Sequence, residues 1–382
     1  MNAAKDPASK DRRAENAPNN LAKPPEGWPR WTLYMLASLF LGTIGGLIFD
    51  WLTIPLAWMI GAMVFTTGAA LSGAPVRGSR RIRTIFIPVL GIMLGSSFTP
   101  ETLGQVSSWV PSVVTMLLFV VIVVAVVGVF LHKAMGFGLV SAYFSATPGG
   151  LATMVVIGGE MGGDERRIGL THSIRIMLTV LIIPLYFRIF EGYVPGGFGS
   201  LGSVVDLSLQ DAAILVSCML GYPLFKALRL PSAQILGPMT LSAIIHVTGL
   251  TTAKPPVEIV NIAQVVIGTG IGARFVDVSV VRLYPVMMAA AGGTVFMVGF
   301  AAMAALALEA LTGLPFAAIW LAFAPGGVAE MTLISLALGI DVAFVSTHHL
   351  VRVVFMVIAA PLIFHFIDGK WGIREDPNDH KF

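Results

Sequence analysis

The sequence contains little charge and a single cysteine. Only 12% of its 382 residues are charged, whereas 56% are hydrophobic, and the mean hydropathy is +0.84. Soluble domains carry about 25% charged residues. The composition therefore excludes an ordinary soluble protein and predicts a chain embedded in a bilayer. The lone Cys218 excludes an intrachain disulfide and a thiolate metal cluster, and we expect it to serve packing.

Two further features are absent. The sequence has no GxxxxGK[ST] phosphate-binding loop, so ATP hydrolysis is not expected to drive this protein. The net charge is only +3, and the basic residues are spread over tails and loops. Such a distribution reflects orientation in a membrane, and it predicts no nucleic-acid partner.

Long apolar runs cover most of the chain, and several reach the roughly 20 residues that a membrane-spanning helix needs. These runs predict an all-α polytopic membrane protein. They lie at about 32–49, 54–72, 84–98, 110–131, 138–158, 168–187, 212–225, 232–250, 257–273, 284–308, 314–338 and 342–366.

A duplication organises these runs. Pro148-Gly149-Gly150 recurs 177 residues later as Pro325-Gly326-Gly327, and residues 148–187 match 325–364 at 14 of 40 positions. The matches include Pro, Gly, Asp, His and Arg, which a lipid-facing composition does not supply. The sequence therefore predicts two homologous repeats. The predicted divisions are a disordered cytoplasmic tail (1–30), membrane repeat 1 (31–190), a linker (191–211), membrane repeat 2 (212–367) and a second cytoplasmic tail (368–382).

The basic residues predict how the repeats are oriented. The N-terminal tail and the loop with Arg77, Arg80, Arg81 and Arg83 are rich in positive charge and should be cytoplasmic. Loops that are basic in the second half, with Lys226 and Arg229 or Arg274 and Arg282, correspond to loops without Lys or Arg in the first half. Equivalent loops would then lie on opposite sides. We therefore expect inverted repeats with both termini cytoplasmic, in a bacterial inner membrane.

Inversion needs an odd number of crossings per repeat, but each half has six apolar runs. The run containing Pro-Gly-Gly is the natural exception, because proline and paired glycines interrupt a helix. A broken helix at membrane depth must lie inside the protein or beside a water-filled cavity. We predict five to six membrane elements per repeat, including a re-entrant or discontinuous helix. The alternative is a simple kink, six crossings per half and parallel repeats.

The helix after each Pro-Gly-Gly carries a candidate site. Asp164 and Asp341 stand where N-terminal helix caps are expected. His172 with Arg175, and His349 with Arg352, are three residues apart, so each pair shares one helix face. An arginine within the bilayer is costly, so that face must point inward toward partners.

Two roles for the arginines stay open. They bind an anion such as a carboxylate, which the planar guanidinium suits, or they donate to carbonyls freed at the breaks or pair with Glu330. Glu330 replaces Thr153 of the first copy, and it is either a coupling site or a permanent counter-ion. His172, His349 and His348 are candidate proton carriers, although buried histidines usually serve as hydrogen-bonding groups. Ser145 and Ser346 are weaker candidates, because hydroxyls in membrane helices usually bond their own backbone.

The paired APGG-x-x-E-M and T/H-H-x-x-R segments, within a duplicated membrane unit of about 150 residues, resemble the AbrB family of bacterial inner-membrane proteins. The resemblance covers about 32–366. It implies a polytopic inner-membrane protein with a link to regulation of gene expression. Family members are also labelled ammonia monooxygenases. That label does not suit the membrane histidines here, which stand beside arginines, poor neighbours for a metal cation.

We therefore expect a secondary transporter of a small organic anion, coupled to protons or sodium or acting without coupling. The alternatives are a membrane-embedded regulator or sensor that affects gene expression through a partner and, last, an intramembrane enzyme. We expect no enzymatic activity, cofactor or metal, and a homodimer is an open alternative. The predicted substrate-binding residues are Thr147, Pro148, Gly149, Gly150, Thr153, Arg175, Pro325, Gly326, Gly327 and Arg352, and the predicted ion-coupling residues are Glu330, His172 and His349.

Overall fold

The computed structural model describes residues 28–193 and 201–371, apart from 229 and 231. These residues form sixteen α-helices and no strand. The helices are α1 (Trp28–Trp51), α2 (Ala57–Leu71), α3 (Arg80–Gly95), α4 (Pro100–Gln105), α5 (Val110–Val129), α6 (Leu139–Ala146), α7 (Leu151–Glu160), α8 (Glu165–Phe190), α9 (Leu209–Ser217), α10 (Gly221–Ala227), α11 (Ala233–Val247), α12 (Val257–Gly272), α13 (Val280–Thr312), α14 (Phe316–Phe323), α15 (Val328–Ala337) and α16 (Val342–Trp371).

Five helical stretches among the described residues are long and apolar enough to cross a membrane. Each is 22 to 30 residues long, and about 20 residues suffice for the hydrocarbon core. They are Arg30–Trp51, Val106–Ala134, Glu165–Phe190, Leu283–Thr312 and Val342–Phe366. Exposed large apolar side chains such as Phe40, Leu118 and Leu362 lie along them, as expected of surfaces that face lipid. The expectation of an all-α membrane protein is confirmed.

The helix boundaries repeat along the chain. Leu139–Ala146 and Phe316–Phe323 begin and end 177 residues apart, and so do Leu151–Glu160 and Val328–Ala337. Arg80–Gly95 and Val257–Gly272 show the same spacing. The duplicated sequence thus has duplicated helix bounds.

Helices of the two halves are interleaved in two groups. The first, which we call the glycine-packed bundle, contains α1–α3 and α9–α12, and α3 packs on α11 while α12 packs on α2. The second, the broken-helix bundle, contains α5–α8 and α13–α16, and α13 packs on α8 while α16 packs on α5. Each half therefore contributes to both bundles, and the cross-contacts are reciprocal.

Glycine permits the close crossings in the first bundle. A Cβ at Gly91 would lie 2.5 Å from the Ile235 carbonyl oxygen, and a Cβ at Gly268 would lie 2.3 Å from the Met59 carbonyl oxygen. Gly91 and Gly268 occupy matching positions in the two halves. The same side-chain-free contact thus joins α3 to α11 and α12 to α2, and any larger residue would push these helices apart.

Some boundaries differ from the predicted divisions. The last helix continues to Trp371, beyond the expected start of the C-terminal tail at 368, and the first begins at Trp28. Within the predicted linker, Ser203–Asp206 form a capped turn and α9 begins at Leu209. Residues 1–27, 194–200 and 372–382, with Arg229 and Pro231, lie outside the described residues. The predictions made for the two tails and for Arg229 therefore lie outside the described residues.

Candidate functional site

Both Pro-Gly-Gly segments interrupt the helical path. Helix α6 ends at Ala146 and α7 begins at Leu151, while α14 ends at Phe323 and α15 begins at Val328. The two copies differ in backbone, because Gly150 has a φ of +91° whereas Gly327 has a φ of −79°. Gly150 thus adopts a conformation that side chains disfavour. The second break does not need glycine at 327 for its backbone angles.

An interruption leaves the carbonyls of the last helical turn without partners, and here the buried arginines bind them. Arg352 donates from Nη1 to the Ala324 oxygen at 2.5 Å and from Nη2 to the Gly326 oxygen at 2.6 Å. Arg352 is almost completely buried, with only 1% of its surface exposed. The two guanidinium nitrogens thus bind the carbonyls on either side of Pro325.

Arg175 repeats this arrangement at the first break with longer contacts. Its Nη1 donates to the Ser145 oxygen at 3.0 Å, and the Ala146 oxygen lies at 3.5 Å. The guanidinium therefore makes one good bond to the break where Arg352 makes two. The role of binding the freed carbonyls, left open by the sequence, is present in both copies.

The paired histidines complete each clamp. His172 Nε2 lies 2.9 Å from the Phe144 oxygen and its Nδ1 lies 2.7 Å from Arg175 Nη2. His349 bridges the Leu321 oxygen at 2.8 Å and Arg352 Nη2 at 2.9 Å in the same way. Carbonyls only accept and guanidinium only donates. Each imidazole must therefore be neutral, with its hydrogen on Nε2.

This bonding bears on the predicted coupling role of His172 and His349. A proton added at Nδ1 would face an arginine N–H and remove the bond between them. Coupling through these two histidines stays a prediction, and their contacts suit a fixed neutral state. The unpaired His348 differs, because its Nδ1 faces the Phe344 oxygen at 2.8 Å and its Nε2 faces the Ser112 hydroxyl at 2.9 Å. Ser112 also donates to the Trp109 oxygen, so its own oxygen can accept a hydrogen bond from Nε2.

The two breaks meet at one small cavity. Pro148 and Pro325 both line it, together with Arg352 and the aromatic rings of Phe119 and Phe323. A Cβ at Gly149 would lie 3.3 Å from Met356 Cβ on α16, so the first break packs on the helix that follows the second. The Nε atoms of Arg175 and Arg352 are buried and have no protein hydrogen-bond partner. Each clamp thus retains one uncommitted donor.

The predicted helix caps are confirmed. Asp164 accepts from the backbone nitrogens of Arg166 and Arg167 at 2.9 and 3.1 Å. Asp341 accepts from the Phe344 nitrogen at 3.0 Å. These bonds fix where α8 and α16 begin, and hence how far along each helix the histidine and arginine stand.

The predicted hydroxyl contacts separate into two kinds. Thr147 donates to the Tyr143 oxygen at 2.8 Å and Ser346 to the Ala343 oxygen at 3.2 Å, so both bond their own helix. The Ser145 and Thr171 hydroxyls are buried without a protein partner, and both line a second small cavity beside Arg175. Thr153 is partly buried at the start of α7.

Glu330 pairs with neither clamp arginine. No nitrogen of Arg175 or Arg352 lies within 4.0 Å of its carboxylate, because both guanidinium groups are turned onto carbonyls. The carboxylate instead lies within electrostatic range of Arg83 and Arg274. The counter-ion interpretation of Glu330 thus assigned it to the wrong arginines.

Arg83 and Arg274 were not among the predicted site residues. The sequence interpretation placed them in basic loops that set membrane orientation. Arg83 instead lies on α3, and Arg274 on the short 3-10 turn Ala273–Phe275 that follows α12. A Cβ at Gly270 would lie 3.5 Å from Arg83 Cδ, so the Arg83 side chain lies along α12 toward that turn.

Comparison with known proteins gives the same family as the sequence resemblance. A family model described as "Transition state regulatory protein AbrB" matches residues 58–368. The chain belongs to the AbrB family. The match runs from α2 into α16 and includes both breaks, both His–Arg clamps, Glu330 and the pair Arg83 and Arg274.

Two relatives match this AbrB-family chain over most of its length. "Uncharacterized protein YhjN" of Bacillus subtilis (strain 168) is 24% identical over 359 residues, which cover 88% of this chain and 94% of that protein. "Putative regulator AbrB" of Escherichia coli (strain K12) is 23% identical over 347 residues, covering 88% of this chain and 96% of that protein. The similarity therefore extends over nearly the full length of both relatives.

Proposed function

We propose that this chain is a secondary transporter of a small organic anion, with Pro148–Gly150, Pro325–Gly327, Thr147, Thr153 and the two clamp arginines around the transport site. The observation that carries the proposal is the meeting of two interrupted helices at one cavity. Non-helical backbone at membrane depth is tolerated only inside the protein or beside a water-filled cavity. Transporter sites commonly form where such broken helices meet at a repeat interface.

The reciprocal packing supports a two-fold relation between the repeats. Contacts such as α3 on α11 together with α12 on α2 are those that a pseudo-two-fold axis generates. If that axis lies in the membrane plane, equivalent loops lie on opposite sides, in agreement with the swapped positive charge. We propose five crossings and one re-entrant Pro-Gly-Gly pair per half, with both termini cytoplasmic.

We assign coupling, if the transporter uses an ion gradient, to Glu330. It is 9% exposed, it stands three residues after the second break, and no ion pair within 4.0 Å holds it. Its carboxylate is therefore not held by a direct counter-ion, which leaves it available to a coupled ion. This freedom distinguishes it from the two clamp histidines.

Uptake into vesicles tests the transport proposal. Purified protein is reconstituted in liposomes, and accumulation of a panel of labelled carboxylates is measured with and without an inward proton or sodium gradient. Protein-free liposomes and the Glu330→Gln variant are the controls. We expect uptake of at least one carboxylate above the protein-free level, and a gradient dependence that Glu330→Gln loses. Absence of uptake for every carboxylate under every gradient would refute the proposal.

The second candidate is a membrane-embedded regulator that affects gene expression through a partner. The names of the matched family model and of the Escherichia coli relative favour it. A regulator would change transcript levels in cells when the gene is deleted, and restoration of those levels would not require uptake. A variant that lacks vesicle uptake but restores the transcripts would favour this candidate over the transporter.

A further inference from the structure

Repeat symmetry separates the charged residues described above into two classes. The clamp residues His172 and Arg175 have equivalents in His349 and Arg352, and each set is committed to carbonyls. Arg83, Arg274 and Glu330 have none: the matching positions hold Val260, Ser97 and Thr153. A duplication supplies structural contacts in pairs. Charges present once need a separate explanation.

These unpaired charges come together at the boundary between the two bundles. Arg83 on α3 and Arg274 after α12 belong to the glycine-packed bundle, while Glu330 on α15 belongs to the broken-helix bundle. Helix α3 contacts α15, and the turn Ala273–Phe275 contacts α8 of the broken-helix bundle. Three separate segments thus bring the three charges to one boundary, within electrostatic range of one another.

The charges face each other without direct pairing. Neither arginine has a nitrogen within 4.0 Å of a Glu330 oxygen. Arg83 Nε and Arg274 Nη1 are buried and have no protein hydrogen-bond partner. Burying such donors without an acceptor costs free energy, and the cost is greater for charged groups. A ligand that accepts hydrogen bonds from these two nitrogens would remove that cost.

The position of Glu330 also fits a ligand site. A Cβ added at Gly327 would lie 2.1 Å from Glu330 Oε2. The carboxylate is therefore folded back onto the glycine of the second break. This position keeps it beside the broken backbone and short of the arginines.

We propose that Arg83, Arg274 and Glu330 form the site that holds the charged group of a monovalent carboxylate. The proposal rests on the transporter function and names the residues that bind the anion. Two guanidinium groups and one carboxylate have a net charge of about +1, which one monovalent anion neutralises, and neutral sites are favoured in low dielectric. Each guanidinium offers a planar fork to the ligand carboxylate, and Glu330 limits the charge that the site accepts.

Ligand-induced stabilisation of the purified full chain in detergent tests this site. Melting temperature is measured with acetate or pyruvate, as monovalent probes, and with succinate, as a divalent probe, against sodium chloride of equal ionic strength. Arg83→Gln and Arg274→Gln should each weaken binding of the monovalent probe about 10- to 100-fold, the loss expected for one hydrogen bond to a charged group. The matched control is Arg80→Gln on the same helix, because Arg80 is exposed; it should bind as the wild type does.

Glu330→Gln is expected to change which probe the site prefers. Removing its charge leaves about +2 in the site, so preference should shift from the monovalent probes to succinate. This variant retains both arginines, so the site can be tested even if an arginine variant fails to fold. Equal stabilisation in Arg83→Gln, Arg274→Gln and Arg80→Gln would overturn the site, and so would an unchanged preference in Glu330→Gln or the absence of stabilisation by any probe.

Uptake measured in parallel separates this inference from the proposed function. Binding that the two arginine variants lose, without uptake of any probe by the wild type in vesicles, would support the site and refute the transporter. Uptake that Arg83→Gln and Arg274→Gln retain at the wild-type rate would refute the site and support the transporter.

Discussion

Replacing Arg352 by lysine tests whether the clamps hold the broken helices in place. Lysine keeps the positive charge but offers one compact ammonium in place of a planar fork. Arg352 reaches the Ala324 oxygen, the Gly326 oxygen and His349 Nδ1 from two nitrogens. A lysine at this position can retain about one of these bonds. At about 1.5–3 kcal/mol for each hydrogen bond to a charged group, we expect the variant to lose about 3–6 kcal/mol of unfolding free energy.

The first copy supplies an internal comparison. Arg175 makes one carbonyl bond of 3.0 Å, a second contact at the limit of 3.5 Å and a bond to His172 of 2.7 Å. Arg175→Lys therefore loses about one strong bond, or roughly 1.5–3 kcal/mol. Arg352→Lys should cost about twice as much, although both arginines are buried and share the same sequence motif.

The assay is an unfolding titration in mixed detergent micelles, followed by helical circular dichroism. Arg81→Lys is the control, because Arg81 is exposed on α3. An Arg352→Lys variant as stable as Arg81→Lys would refute the clamp. If that variant also lost uptake, Arg352 would be a ligand-binding residue without a structural role. A larger loss for Arg175→Lys than for Arg352→Lys would refute the bond-by-bond argument.

Three further changes have defined outcomes. His349→Phe removes a donor and an acceptor from the second clamp and should cost about 2–4 kcal/mol, whereas His365→Phe, at an exposed position on the same helix, should leave the unfolding titration unchanged. Gly150→Ala must place a side chain at a φ of +91°; we expect a loss of about 1–2 kcal/mol in the same titration, and no loss would mean that the first break relaxes. Ser112→Ala removes the hydroxyl that joins α5 to His348 on α16, so it should lower the melting temperature by an amount equivalent to about 1–2 kcal/mol; an unchanged melting temperature would show that this contact between the halves adds no stability.

Local chemistry made several features predictable from the sequence. The breaks follow from proline and paired glycines inside apolar runs, and the caps follow from Asp164 and Asp341 at the starts of the next runs. The inward face of each His–Arg pair follows from the cost of charge in lipid. These inferences need only the residues within a few helical turns. The family resemblance rested on the same segments and is confirmed.

The charged neighbours of Glu330 were not predictable in this way. Arg83 and Arg274 lie more than 50 residues from Glu330 in sequence, and they come within electrostatic range of it through packing between the two bundles. Basic residues near the ends of apolar runs also predict loop orientation. The sequence analysis therefore assigned Arg83 and Arg274 to orientation alone and did not predict their position near Glu330. One signal was present: each of the three stands opposite an uncharged residue in the other repeat.

This contrast suggests how a duplicated membrane protein acquires a directional site. Residues that repair the broken backbone are needed in both copies, because each break leaves the same carbonyls unsatisfied, and so Arg175 and Arg352 are both retained. The ligand that we propose at the boundary between the bundles would be bound once. A second, equivalent set of charges would then be a cluster with no ligand to neutralise it. Such a cluster would carry the desolvation cost of buried charge with no compensation. The neutral residues Val260, Ser97 and Thr153 at the matching positions are therefore what a single anion site between repeated scaffolds requires.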